Sequence, residues 1–311
     1  MKQILWFRRD LRINDSAILA NAKDEVLPIF IFDKNILDLL DKNDKRVTFI
    51  YESVLKLKED LKSLGLDLAI FYSTPKEVFE SFKNQGFDSI LCSVDFDKYA
   101  KNRDEEISKI IPMQTFFDSF ITHPNDCLKV DKTPYKVFTP YYNNLEFIWN
   151  SYRLEELQTN KNLKLIPFDY SKVPTLEDLG FISQNLPSFL QKSADELIED
   201  FAMKIDNYKV DRDFFDKDAT SSLAVHLRFG LISPRQVFNK IKELKARTEN
   251  KEFFIRELFW REFYNYILYH FPKSEDENLN KIIVNWNDDE TIFQKWCRIY
   301  LNKCRKTISN L

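Results

Sequence analysis

The sequence predicts an α/β domain built on a parallel sheet, followed by an all-helical domain. Short apolar runs, each followed by helical periodicity, fill the first part of the chain. A proline-bearing, turn-rich stretch follows from about Asp131, and past Ala194 the pattern is helical almost throughout.

The elements follow in order. Residues 3–7 (QILWF), 26–32 (VLPIFIF), 67–72 (DLAIFY) and 89–94 (SILCSV) are too short for helices and rich in β-branched or aromatic residues, which marks them as strands. Between the second and third, RVTFIYESVLKLKEDLKSLG carries apolar residues at helical spacing and ends at Gly65; Thr74-Pro75 opens the next helix. Strands alternating with helices imply a parallel sheet covered on both faces, a Rossmann-like arrangement. Pro134, Pro140, Pro167, Pro174 and Pro187 break up the stretch from Asp131 to Ser193. The predicted organisation is therefore an α/β domain at 1–130, a connection at 131–193 and a helical domain at 194–311. In the last, SPRQVFNKIKELKAR has Ser233 as N-cap and Pro234 at the first helical position.

Composition narrows the function classes. A formal net charge of −3 excludes binding driven by a globally basic surface and leaves room for a local basic patch. Four glycines are too few and too scattered for a dinucleotide fingerprint. The four cysteines, Cys92, Cys127, Cys297 and Cys304, fit neither a zinc ribbon nor a disulfide framework, so they are expected to be reduced thiols, and no metal site is predicted. No apolar run is long enough for a membrane span, and Met1-Lys2 leads straight into QILWF without a signal-peptide core; a soluble, cytoplasmic monomer is the expectation.

The run RELFWREFYNYILYHFP at 256–272 carries the most chemistry. Glu257, Trp260 and Arg261 lie at i, i+3 and i+4, so a carboxylate, an indole and a guanidinium share one helix face. A carboxylate for an imide or amine, a flat ring for stacking and a planar cation for phosphate suit recognition of nucleotides. The plainer alternative is an amphipathic helix burying Phe254, Leu258, Phe263 and Ile267 while its charges face water.

Four ordered stretches together resemble the DNA photolyase and cryptochrome family. LWFRRDLRINDSAIL at 5–19 is similar to the family's opening, with Trp6-Phe7 running into Arg8-Arg9-Asp10-Leu11-Arg12. YKVFTPYY at 135–142 resembles its interdomain signature. YKVDRDFFDKDATSSLAVHLRFGLISPRQVF at 208–238 resembles the start of its flavin-binding region, and RELFWREF its most diagnostic helix.

The resemblance implies FAD as cofactor and light-dependent repair of cyclobutane pyrimidine dimers in damaged DNA. The segment Thr220, Ser221, Ser222, Leu223 and Ala224 would wrap the FAD diphosphate, with Ala224 standing where a serine is usual. Tyr208, Phe254, Glu257 and Arg261 would contact the cofactor. Glu257 and Trp260 would meet the flipped dimer, and Arg212, Arg261 and Tyr264 would join them against DNA. Trp286 would be the surface tryptophan of an electron relay. His226 and His270 are expected to be structural. The antenna chromophore stays open among folate, deazaflavin, another flavin or none: Tyr99 and Ala100 replace the polar pair that precedes the Arg-Asp dipeptide, here Arg103-Asp104, in folate-binding members.

After Trp296-Cys297 the polar tail RIYLNKCRKTISNL is unlike the family, so the helical domain is expected to be incomplete at its C-terminal side, without the inner relay tryptophans and the Asn and Asp residues that hold the flavin ring. The expectation is accordingly split. One outcome is a photolyase whose activity this chain retains or has lost through truncation, and the alternatives are a cryptochrome-like blue-light photoreceptor and a non-catalytic remnant.

Overall fold

Strand β1 (Lys2–Phe7) lies at the centre of a parallel sheet, and its apolar residues are buried on both faces. The computed structural model describes residues 1–280 and 287–298. With β2 (Glu25–Asp33), β3 (Ala69–Ser73), β4 (Ser89–Ser93) and β5 (Met113–Phe116), the strand order is β3-β2-β1-β4-β5, and β6 (Lys164–Leu165) pairs with the start of β2. The first four coincide closely with the expected strands. Strand β5, MQTF, is a four-residue edge strand none of whose residues is fully buried, and β6 is a two-residue pairing inside the proline-bearing stretch.

Helix α1 (Lys45–Lys62), capped by Asp44, sets Val47, Val54, Leu57 and Leu61 against the sheet face that holds Leu5 and Phe7. Gly65 follows it at φ 74°, a left-handed value that glycine takes without a Cβ penalty. Helices α2 (Pro75–Phe82), with a Thr74–Glu77 capping box, and α3 (Lys98–Ser108), capped by Asp97, cover the opposite face around Ile4, Trp6, Phe79 and Ile107. A sheet clad on both sides needs strands apolar on both faces, which is why these strands read as continuous rather than alternating runs.

The stretch expected as a turn-rich connection contains helix α4 (Phe138–Asn144), which buries Phe138, Tyr141 and Tyr142 in the helical core. That core also takes α5 (Ala194–Ala202), α6 (Ala224–Phe229), α7 (Pro234–Glu243) and α8 (Thr248–His270). Ser193–Glu196 and Ser233–Gln236 form capping boxes that fix the starts of α5 and α7.

The sheet and the helices join along a buried seam. Gly230, at φ 67°, follows α6 where an added Cβ would lie 2.1 Å from the Arg9 carbonyl oxygen. Leu11 N–H donates to Phe229 O at 3.1 Å, and Arg12 donates to Gly230 O and Asp118. Arg235 binds Asp15 and Asp118, and Ser233 donates to Asp15. Residues 1–275 thus form one compact unit; in the second, which begins at Asp276, residues 290–298 are helical. Among the described residues no helix is long and apolar enough to cross a membrane.

Candidate functional site

Helix α8 is buried over much of its circumference. Phe254, Leu258 and Phe263 pack inward as the amphipathic alternative requires, while Ile267 is only partly buried and Glu262 is buried rather than solvated. Its accessible surface includes a stripe comprising Glu257, the partly buried Trp260 and Tyr264, which is 65 % exposed.

Glu257 is joined by Arg212, whose guanidinium donates to its carboxylate and also reaches the Tyr208 hydroxyl. Tyr208 starts a short helical turn, Tyr208–Asp211, tied to the first turn of α8 by Lys209 N–H on Asn250 Oδ1 at 2.9 Å. Its ring lies 5.6 Å from Phe254, which packs 4.8 Å from Phe201. Burial, then the Glu257 charge, raises the Tyr208 pKa, so the phenol stays protonated. Tyr208, Arg212, Phe254 and Glu257 are therefore one contiguous group. One turn further, Trp260 stacks on Phe138 with ring centroids 3.6 Å apart and planes 10° apart; Tyr264 lies 5.8 Å away, tilted by 27°.

Arg261 points to the other side of the stripe, where Nη1 donates to Ser119 O at 2.8 Å and Nη2 to Leu227 O at 3.4 Å. No carboxylate pairs with it among the described residues. Burial lowers its pKa most strongly; the Glu262 charge opposes this, and Arg228 and Arg12 add smaller lowering effects. Glu262 is committed elsewhere: it accepts from Ile121 N–H, Thr122 N–H and the Thr122 hydroxyl, and burial pushes its pKa up. Arg261 is thus a desolvated cation whose missing counter-charge an anionic ligand would supply.

Leu227 lies in α6, and the Thr220–Leu223 loop precedes that helix. Ser222 has φ 57°, and Leu223 follows in the right-handed region, an alternation that turns successive N–H groups toward one side and suits an anion. Leu223 N–H donates to Ser221 Oγ, and Thr220 is exposed. Among the described residues no hydrogen bond joins the Thr220, Ser221 or Ser222 hydroxyls to α8. Trp286 lies outside the described residues. His226 Nε2 bonds Lys192 O and His270 Nε2 bonds Pro124 O, both local structural contacts.

A second feature lies at the carboxyl ends of β1 and β2, where the strand order reverses beside β1, the usual place for a ligand in such sheets. A cavity of about 490 Å³ opens there, lined by Arg9, Arg46, Arg103 and Arg228 among others, and by Ala224 from the start of α6. Burial, opposed by Asp95 and reinforced by Arg228, lowers the Arg9 pKa to about 10. Tyr99 donates to Asp33 at the rim, and burial raises its pKa to about 12. Sequence reasoning assigned no ligand to Arg9 or Arg228; two consecutive arginines at the end of a central strand were the available signal. Among the described residues no group of His, Cys, Asp and Glu could hold a metal ion.

Comparison with known proteins agrees with this architecture. Residues 3–159 match the family described as DNA photolyase. Deoxyribodipyrimidine photo-lyase of Alkalihalophilus pseudofirmus is 26% identical over 94% of this chain and 65% of its own length, and that of a Synechococcus strain is 25% identical over 94% and 66%. The chain thus spans about 65% of the length of these relatives. An archaeal photolyase from Sulfolobus tokodaii, solved with two FAD molecules, superposes with a TM-score of 0.75 at 25% identity, over 95% of this chain and 66% of that one. The Synechocystis cryptochrome gives 0.79 at 20% identity, over 95% and 68%, a likeness of fold.

Proposed function

We propose that this chain, which belongs to the DNA photolyase family, binds FAD and uses the accessible stripe of α8 to hold a pyrimidine dimer flipped out of DNA for light-dependent repair. The observation that carries the reading is the adjacency of an accessible carboxylate, Glu257, and a stacked indole, Trp260, beside a desolvated guanidinium, Arg261, whose hydrogen-bond partners among the described residues are carbonyls.

The residues fit the diphosphate end of FAD. Arg261 supplies the buried cation, and the Thr220–Ala224 loop supplies N–H groups and hydroxyls. Bound FAD would supply the light absorption and the electron that opens the cyclobutane ring. The chain's own residues do the rest. Trp260 offers an apolar plate to the face of the extruded dimer, as enzymes that flip bases require. Glu257 accepts hydrogen bonds from the thymine imide N–H, while Arg212, its present partner, moves to a flanking phosphate. Tyr264, on the same stripe, meets the strand beside the lesion. The cavity at the carboxyl ends of β1 and β2 is our candidate for a second, anionic chromophore, with Arg228 as its counter-charge; Arg9 is paired with Asp95 and Asp97, which line the same cavity.

The test is equilibrium binding of the purified chain to duplexes with and without one cyclobutane thymine dimer. The wild type should prefer the damaged duplex, and Glu257→Ala should weaken that preference roughly 10- to 100-fold, the worth of hydrogen bonds to a charged group. Equal affinity for both duplexes in the wild type would overturn the proposal.

A further inference from the structure

We propose that Phe138 is a positioning residue for Trp260, fixing the plane on which a dimer stacks; this rests on the proposed role of Trp260. Phe138 is 3 % exposed and so cannot reach DNA itself. Its ring lies face to face with Trp260, centroids 3.6 Å apart and planes 10° apart. Isolated aromatic pairs prefer offset or edge-to-face arrangements, so this geometry is imposed by the surrounding structure.

The imposing structure is a column. Phe138 stacks on Tyr142 at 5.4 Å and 22°, and Tyr142 on Trp149 at 5.1 Å and 4°. Trp149 Nε1 donates to Tyr142 O at 3.0 Å. The Arg256 guanidinium lies 5.4 Å from the Phe138 ring and 5.2 Å from the Tyr142 ring, clamping the column to α8. Tyr141, from the same helix, packs 4.8 Å from Tyr266, whose hydroxyl accepts from Tyr135 N–H and donates to Cys127 O. Helix α4 is therefore locked on α8 at both ends of the motif, and Phe138 transmits that registration to the indole. With Phe138 on one indole face and Tyr264 stacked 5.8 Å from the same indole, the orientation of the surface left to a substrate follows that of the Phe138 ring.

Two readouts on the full chain separate positioning from recognition. In 5-fluorotryptophan-labelled protein, fluorine NMR reports the Trp260 environment, its resonance being assigned by its absence in Trp260→Phe. Phe138→Leu should shift that resonance toward the solvent-exposed position, and Phe138→Tyr should restore it. In parallel, Phe138→Leu should lower the preference for a dimer-containing duplex roughly two- to tenfold, the range expected for one aromatic pair, with Phe138→Tyr again close to wild type. Should Phe138→Leu not fold, Phe138→Met, nearer in volume, carries the same expectations. An unmoved Trp260 resonance in the Leu or Met variant overturns the positioning role, as does an unchanged dimer preference beside a shifted resonance. A wild type with no dimer preference refutes the role of Trp260 in recognition and the proposal built on it, while the fluorine spectrum still decides whether Phe138 fixes the indole.

Discussion

Replacing Gly230 by alanine tests the seam on which both candidate sites hang. The added Cβ would lie 2.1 Å from the Arg9 carbonyl oxygen, 2.6 Å from Asp10 Cα and 2.7 Å from the Arg9 carbonyl carbon. All three are backbone atoms and none can swing aside. The φ of 67° adds a left-handed penalty of about 1–2 kcal/mol for a residue with a side chain. Overpacking adds about 1–3 kcal/mol, so the variant should lose about 2–5 kcal/mol of stability. Gly86→Ala is the control: its φ is 77°, but nothing lies within 4 Å of the added atom, so only the conformational penalty applies. Urea unfolding of the two variants beside wild type measures the difference. Equal losses in both would refute the close approach of α6 to the end of β1. The same displacement should widen the cavity beside Arg9, since the Leu11–Phe229 hydrogen bond is the neighbouring tie.

Further expectations follow from the other buried groups. Glu262→Ala strands three donors, Ile121 N–H, Thr122 N–H and the Thr122 hydroxyl, and should cost about 3 kcal/mol or more in urea unfolding. Burial holds the His226 pKa below its usual 6.5, so the unfolded chain takes up a proton first; its contribution to stability is complete above pH 6.5 and is lost progressively as pH falls below it. Thermal midpoints measured across that window should fall with acidification, less steeply in His226→Asn. Arg228→Ala should weaken binding of flavin mononucleotide to the cavity about tenfold, read by fluorescence titration, if that cavity takes an anionic chromophore.

Much of the architecture was legible because the relevant signals are local. The strands at 2–7, 25–33, 69–73 and 89–93 announce themselves by apolar runs, and Thr74-Pro75 and Ser233-Pro234 mark helix starts directly. The i, i+3, i+4 spacing of Glu257, Trp260 and Arg261 is likewise a local property of α8. The rest depends on distant partners. Prolines suggested a loop where α4 forms, because the helix is stabilised by burying Phe138, Tyr141 and Tyr142 against α8 rather than by its own propensity. Strand β5 is specified by pairing with β4, and Glu262 is drawn inward by the amides of residues 121 and 122. The carboxylate partner of Arg212 and the plate beneath Trp260 are tertiary contacts that spacing does not encode.

The most direct measurement is repair itself. The chain is saturated with FAD, reduced, mixed with thymine-dimer oligonucleotide and exposed to blue light, while the returning ultraviolet absorbance of the thymine rings is followed. The account predicts dimer loss that requires both light and reduced FAD and that falls sharply in Glu257→Ala and Trp260→Ala. Binding of FAD and of the dimer with no loss of dimers under illumination would contradict it.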